Sequence, residues 1–218
     1  MTATRRLQFA IGLLLALALP FCHRFLTAPF AVFGARWGGE AFWWVLLAIV
    51  LLYVLLVERK PLSSIGYRKP GAMDLLLGFV AAIAAVFGIG IVFQFVLPAL
   101  HMSVDRQMGA VAIAPFLFRV ALVTRAAFVE ETLFRGYGFE RIAEWTGNPV
   151  LAALATWVLF TMAHLTSWGW AQVIIAAWGG LVLTLLYLWR RNLWANILCH
   201  WLTDGTAFLL MPALAHHG

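Results

Sequence analysis

Seven long apolar stretches constrain this chain more than any other feature of its sequence. They lie at 7–22, 41–57, 73–99, 111–137, 149–166, 170–189 and 193–214. A helix needs about 20 mostly apolar residues to cross about 30 Å of hydrocarbon, and these stretches have that length. Because 64% of the residues are hydrophobic and 11% are charged, little remains for a soluble domain. The sequence therefore predicts an all-α, polytopic transmembrane bundle of seven spans, in one domain over residues 1–218.

The apolar region 22–36 leaves two interpretations open. It is rich in Phe but interrupted by Pro29, which suits an interfacial or re-entrant piece. If it crossed the membrane instead, the bundle would have eight spans.

Basic residues between the apolar stretches predict the orientation of the bundle. Seven spans would place nine basic residues on the side of the N-terminus, and three, Arg24, Arg36 and Arg106, on the other. The nine are Arg5, Arg6, Arg59, Lys60, Arg68, Lys69, Arg141, Arg190 and Arg191. Since basic loops stay in the cytosol, we expect a cytosolic N-terminus. The basic residues form no continuous stripe, so a nucleic-acid partner is not expected.

Ionisable side chains inside apolar stretches are the strongest functional signal. Each costs several kcal/mol in hydrocarbon unless it is paired or solvated, so such residues tend to mark functional sites. They are Arg119, Arg125, Glu130, Glu131, Arg135, His164, His200 and Asp204. Arg119 and Arg125 are expected to snorkel to the interface or to bind lipid headgroups, without a catalytic part.

The spacing of these residues separates two kinds of role. Glu131 and Arg135 are four apart, which predicts an ion pair with a supporting role. Glu130 points about 100° away from Glu131 and needs another partner. His200 and Asp204 are also four apart and share a face, where they could meet Glu130 and a third helix carrying His164.

The depth of the two histidines predicts an irregular segment. At 1.5 Å per residue, His164 lies about 22 Å beyond Pro149, whereas His200 lies about 10 Å beyond Leu193. The two side chains meet only if the fifth apolar stretch, 149–166, is tilted or residues 137–148 are drawn towards the membrane, so we expect irregular structure at 137–148.

Three motifs carry a family resemblance. They are Glu130-Glu131-x-x-x-Arg135, Phe160-x-x-x-His164 and His200-x-x-x-Asp204, in that order. With them, residues 73–214 resemble the CAAX-protease and bacteriocin-processing family (CPBP, or Abi) of intramembrane endopeptidases. The resemblance implies peptide-bond hydrolysis, with Glu130 as general base, His164 positioning the water, and His200 and Asp204 stabilising the oxyanion. It also favours a cavity that opens on the basic, cytosolic side.

Two details of this implied chemistry stay open. An ionised Asp204 would repel a developing oxyanion, so it must either be protonated or orient His200. Glu130, His164 and His200 could also supply three ligands to zinc or another divalent metal. A water held directly by Glu and His needs no metal, and we favour that interpretation.

The residues of the three motifs also indicate a class of substrate and leave other functions open. A membrane-associated peptide or protein, such as a prenylated CAAX tail or a leader-bearing peptide, fits the resemblance as substrate. We expect the protein in the cytoplasmic membrane of a prokaryote. The alternative is a non-catalytic immunity or scaffold protein of the same fold. A proton-coupled transporter is less supported, because the sequence shows no inverted repeat.

Overall fold

The computed structural model describes residues 3–215, with side chains except at 24, 35, 105–107, 214 and 215. Helices make up nearly all of this part of the chain, which contains no strand. Seven long helical segments follow the seven apolar stretches. We label them α1 (3–26), α2 (34–57), α3 (72–99), α4 (116–146), α5 (149–168), α6 (Trp170–Arg190) and α7 (193–215).

Five of these segments are long and apolar enough to cross a membrane. Within the described residues they are Ala3–His23, Arg36–Val57, Ala72–Ala99, Pro149–Trp168 and Trp170–Arg190. The α4 segment, with its five charged residues between 119 and 135, is not among them. The all-helical architecture is therefore confirmed, whereas the count of seven spans and the orientation stay predictions.

The connections between the helices are short. Between α1 and α2 lies a 3-10 helix, Ala28–Phe33, which is too short to cross a bilayer, so an eighth span there is wrong. A second 3-10 helix, Leu62–Ile65, lies in the loop before α3, and a short helix, Asp105–Ala112, precedes α4. Gly169 alone joins α5 to α6, with a φ of +80° that favours glycine.

Side-chain contacts define two ends of the bundle. At the first, which we call the basic end, Arg5 pairs with Glu144 at 2.6 Å and Arg190 pairs with Asp74 at 2.8 Å. This end comprises residues 3–8, 53–74, 140–150 and 187–195. At the second, the distal end, three contacts join five helices. These contacts are His23 with Ser167, Trp37 with Phe118, and Trp168 with Phe208.

The loop at 58–71 is fixed to α4 at the basic end. The buried Arg141 side chain pairs with Glu58 at 2.6 Å. The Tyr67 hydroxyl lies 2.6 Å from the Thr132 hydroxyl, which in turn donates to the Phe128 carbonyl. Because the single Thr132 hydroxyl proton is donated to Phe128, the Tyr67 hydroxyl is the donor to Thr132.

The α4 helix forms the centre of the bundle. It is π-helical over Ala126–Phe139, where only Phe128 and Glu130 are not buried. Val129 and Leu133 pack against α1 and α2, while Ala127 and Phe139 pack against α5, α6 and α7. The other helices thus surround the segment that carries the first motif.

Residues 137–148 differ from the prediction. The chain is helical up to Thr146, as a π-helix to Phe139 and as an α-helix over Glu140–Thr146. Tyr137 and Arg141 are buried inside the bundle. The prediction of irregular structure at 137–148 is therefore wrong. These residues extend α4 inside the protein, and α4 departs from regular α-helix only by its π-helical winding up to Phe139.

Candidate active site

A cavity of about 460 Å³ lies within the bundle and brings together the four predicted catalytic residues. Glu130, His164, His200 and Asp204 all line it. Further polar and aromatic side chains of α1, α2, α4, α5 and α6 complete its wall, namely His23, Trp43, Arg125, Phe160, Ser167, Trp168 and Gln172. The sequence prediction that these helices converge on one hollow agrees with this placement.

Glu130 is the carboxylate on the α4 wall of the cavity. Its side chain is 18% exposed, and its Oε1 accepts a hydrogen bond from Arg125 Nη1 at 3.0 Å. Arg125 also donates to Glu40 of α2, from Nε at 3.1 Å and from Nη2 at 3.4 Å. In the described part of the chain, Oε2 of Glu130 has no hydrogen-bond partner, so one oxygen is free to accept a proton.

The two arginines expected to snorkel do not. Arg125 is held between Glu40 and Glu130, with its guanidinium over the Trp43 ring. Arg119 is buried and donates to the Phe208 carbonyl at 2.8 Å. The prediction of interfacial arginines is therefore wrong, because carboxylate and carbonyl groups inside the bundle accept hydrogen bonds from both side chains.

His164 lies at the end of the Pro149–Ala163 helix and faces the cavity. Its Nδ1 lies 2.8 Å from the Phe160 carbonyl. A carbonyl can only accept, so Nδ1 carries the proton, and in the neutral ring Nε2 is left as an acceptor. The Phe160 ring meets the imidazole edge to face, with the ring centres 4.8 Å apart, and restricts its orientation. This arrangement suits a histidine that accepts a hydrogen bond from a water molecule.

His200 lies between two carboxylates. Its Nδ1 is 2.8 Å from Glu131 Oε1, and its Nε2 is 3.4 Å from Asp204 Oδ2. An ionised carboxylate only accepts, so Nδ1 donates a hydrogen bond to Glu131. The longer contact with Asp204 is favourable in either of two states: His200 is doubly protonated, or Asp204 is protonated. Each state places a proton between His200 and Asp204, at the cavity wall.

Behind His200, Glu131 is the centre of a fully buried polar network. It accepts from Arg135 at 2.9 Å, which is the predicted ion pair, and from Asn196 Nδ2 at 3.0 Å. Arg135 further donates to the Gly180 carbonyl at 3.1 Å, and its guanidinium lies 4.0 Å from the Phe160 ring centre. These contacts hold α4, α6 and α7 in one register around the cavity.

Sequence reasoning missed several residues of the site. Asn196 had a usable signal, because it precedes His200 by four residues and so shares its face. Glu40 and His23 lie in the first two helices, where no spacing connected them with the motifs. His23 accompanies Ser167 at 3.3 Å on the cavity wall.

The zinc alternative does not fit the side chains as placed. Across residues 3–215, no three His, Cys, Asp or Glu groups are close enough together to hold a metal ion. In addition, both ring nitrogens of His200 already face carboxylates, and Nδ1 of His164 faces a carbonyl. No catalytic step is therefore assigned to a metal.

The cavity lies nearer the distal end than the basic end. Its lining includes Pro20 and His23 of α1, and Trp168 and Phe208 at the ends of the later helices. The resemblance favoured an opening on the side of the basic loops. The lining residues give the position of the cavity along the bundle, and the side on which it opens stays a prediction.

Comparison with known families supports the resemblance. The model of the family described as type II CAAX prenyl endopeptidase Rce1-like matches residues 112–206. That range contains all three motifs and ends just after Asp204, while Glu40 and His23 lie outside it. No curated protein and no solved structure matches the chain.

Proposed function

Residues 112–206 belong to the Rce1-like CAAX prenyl endopeptidase family, and from this premise we propose that the chain is an intramembrane endopeptidase. The family is a protease family. The long apolar helices of this chain make it an integral membrane protein. We assign it to the cytoplasmic membrane of a prokaryote. Its substrate is a membrane-associated peptide, either prenylated at a CAAX-type cysteine or bearing a leader.

In the proposed reaction, Glu130 and His164 activate a water molecule. The water oxygen attacks the carbonyl carbon of the scissile bond while one of its protons passes to the free oxygen of Glu130. His164 Nε2 accepts a hydrogen bond from the same water and orients it. The C–N bond then breaks, and the leaving amine takes the proton from Glu130.

His200 and Asp204 are proposed to stabilise the oxyanion. A proton lies between these two side chains at the cavity wall, whichever of them holds it. A donor prepared in advance stabilises the charge that develops on the carbonyl oxygen. Glu131 and Arg135 support this arrangement, since Glu131 holds the opposite side of the His200 ring at 2.8 Å.

One observation carries the proposal: the four side chains, from three separate helices, line one cavity. A non-catalytic scaffold would not require a free carboxylate oxygen beside a histidine with an acceptor nitrogen. The donor set described above supports a mechanism without a metal. It predicts that EDTA leaves activity unchanged, and a loss restored by zinc would contradict it.

The test is cleavage of an internally quenched peptide with a prenylated cysteine three residues from its C-terminus. Purified protein in detergent should cleave it, and Glu130→Gln should lower kcat by about 10²–10⁴-fold without changing the unfolding temperature. The matched control is Glu144→Gln, which alters a glutamate at the basic end, paired with Arg5 and Lys60. Full activity in Glu130→Gln would remove the proposed base.

A further inference from the structure

We propose that Arg119 binds the C-terminal carboxylate of the peptide substrate, at the part of the cavity formed by Phe208. This inference rests on the proposed function and adds to it a residue that determines specificity. Two observations support it. Arg119 is a buried cation without a counter-charge among the described side chains, and it lies about the length of a tripeptide from Asp204.

Arg119 is a buried side chain with hydrogen-bond donors to spare. It is 9% exposed. Among the described residues, Phe208 alone accepts a hydrogen bond from it, from Nη1 at 2.8 Å, and Nε is buried without a partner. Its guanidinium carbon lies 5.7 Å from the centre of the Phe116 ring, a contact that occupies no donor. A guanidinium has five N–H donors and can bind a carboxylate through two of them, so Arg119 can still take an anion.

The acidic side chains of the protein are bound to other residues. Of the nine Asp and Glu residues, Asp105 lies outside the described side chains, and each of the others contacts a basic residue other than Arg119. These contacts are Glu40 and Glu130 with Arg125, Glu58 with Arg141, Asp74 with Arg190, Glu131 with Arg135, Glu140 with Arg191, Glu144 with Arg5, and Asp204 with His200. A buried charge is costly without a counter-charge, so this arrangement favours an anion from outside the chain.

The other two arginines near the cavity are already neutralised. Arg125 binds Glu40 and Glu130, and Arg135 binds Glu131. A peptide that ends inside an apolar cavity brings a carboxylate, which is costly there unless a cation binds it. Arg119 is the arginine beside the cavity that can do so without breaking an ion pair of the described side chains.

The position of Arg119 connects it with the proposed oxyanion donors. Leu122, three residues further along α4 and on the same face, lines the cavity, as does Phe208. Phe208 follows Asp204 by four residues on α7. With a rise of 1.5 Å per residue and the hydrogen bond from Arg119 to Phe208, the guanidinium lies about 6–9 Å beyond Asp204.

This separation fits a short C-terminal tail. An extended residue spans about 3.3–3.6 Å, so a carboxylate three residues beyond the scissile carbonyl lies at most about 10 Å from it. If that carbonyl lies at His200 and Asp204, the carboxylate can reach Arg119. A peptide that continues much further would pass Arg119 without placing its charge there. Arg119 therefore favours substrates with a free C-terminus about three residues beyond the scissile bond over leader-bearing peptides that are cut far from their C-terminus.

The test compares the quenched prenylated peptide as a free acid with the same peptide as a C-terminal amide. In a neutral detergent, wild-type kcat/KM should be about 10–100-fold higher for the acid, as expected for a hydrogen bond between charged groups. Arg119→Gln should bring this acid-to-amide ratio close to one, and Arg119→Lys should retain part of it. The matched control is Arg68→Gln, which removes an exposed arginine at the basic end that also donates to a carbonyl, that of Ser63. It should keep the full ratio.

Binding separates this inference from the proposed function. A dansyl-labelled form of each peptide is added to Glu130→Gln, which should bind without cleaving, and energy transfer from tryptophan is measured. The acid should bind at least about tenfold more tightly than the amide, and adding Arg119→Gln should remove the difference. Equal cleavage and equal binding of acid and amide would overturn the role of Arg119 while leaving the endopeptidase intact. Acid-selective binding without cleavage by wild-type protein would overturn the proposed function alone, and no binding with no cleavage would overturn both.

Two further measurements exclude other partners of Arg119. Asp105→Asn should leave the acid-to-amide ratio and the unfolding temperature unchanged. If it lowered both as much as Arg119→Gln does, Arg119 would have a partner within the chain, and the proposal would be wrong. The second measurement adds phosphatidylglycerol to the detergent. If this lipid raised the unfolding temperature of the wild type but not of Arg119→Gln, and acid and amide were cleaved equally, Arg119 would bind a lipid phosphate instead.

Discussion

Two regions that meet at neighbouring residues, Glu130 and Glu131, have opposite construction. Glu131 is fully buried and accepts hydrogen bonds from three residues, Arg135, Asn196 and His200. Glu130 faces the cavity and bonds one arginine through one oxygen. A carboxylate whose acceptors are all occupied fixes helices in place, whereas a general base needs an acceptor to spare. The difference therefore separates the residue that supports the fold from the residue proposed to act on substrate.

The largest expected effect comes from Glu131→Ala. It would leave the Arg135 guanidinium buried without its counter-charge, which costs about 3–5 kcal/mol. We expect a large loss of folded protein, measured by tryptophan fluorescence during thermal unfolding in detergent. Glu130→Ala is the matched control and should unfold near the wild-type temperature. If both variants lost stability equally, the distinction between the two regions would not hold.

The wall between the two regions can be tested at adjacent glycines. A Cβ on Gly180 would lie 2.8 Å from the ring of Phe160, which separates Arg135 from the cavity, whereas a Cβ on Gly179 would meet only Ile89 at 3.9 Å. We expect Gly180→Ala to cost about 1–3 kcal/mol through overpacking, with reduced cleavage of the reporter. Gly179→Ala should change neither the unfolding temperature nor the rate. Equal effects would show that Phe160 tolerates displacement.

Glu40 affects Glu130 through Arg125, which binds both carboxylates. It takes hydrogen bonds from Nε and Nη2 of Arg125, which leaves Nη1 for Glu130. With Glu40→Gln, the arginine is freer to occupy both oxygens of Glu130, and we expect kcat to fall about tenfold with KM unchanged.

The control for Glu40 is a double-mutant cycle. In the background of Arg125→Gln, Glu40→Gln should have no further effect on kcat, because the guanidinium that links the two carboxylates is gone. A full additional loss in that background would mean that Glu40 acts by another route.

The smallest effect is expected from the substitution Asp204→Asn. Asn at this position donates a hydrogen bond without needing a proton from His200, so Asp204→Asn should keep kcat within about tenfold of the wild type. Asp204→Ala removes the donor and should lower kcat further, by about 10²–10³-fold. Steady-state cleavage of the reporter checks both. Equal losses in the two variants would indicate that Asp204 orients His200 through its charge.

Part of this site could be predicted from the four-residue spacing that brings side chains of one helix together. The pairs Glu131–Arg135 and His200–Asp204 are four residues apart and do contact each other. The same periodicity failed for Arg125 and Glu130, which are five apart and lie on different faces of an α-helix. The helix is π-wound from Ala126, and hydrogen bonding to the fifth residue brings these two side chains together. Nothing in the apolar pattern of α4 signals that winding.

Contacts between distant helices were the other limit. The sequence placed the long helices, because hydrophobic length is enough to define them. It did not place Glu40 against Arg125 or His23 against Ser167, since these pairs depend on how α1 and α2 pack beside α4 and α5. The position of the cavity along the bundle could not be predicted for the same reason: it depends on which half of each helix faces the interior.

The single-residue connection at Gly169 limits how a long polypeptide substrate can reach the cavity. Because one residue joins α5 to α6, these two helices cannot separate or slide at that end. His164 and Gln172 therefore form a rigid side of the entrance to the cavity. Helices α1 and α2 are joined at the same end through a longer connection, the 3-10 helix Ala28–Phe33. A polypeptide that enters the cavity laterally from the lipid would therefore displace the α1–α2 pair, which forms the movable side of the entrance.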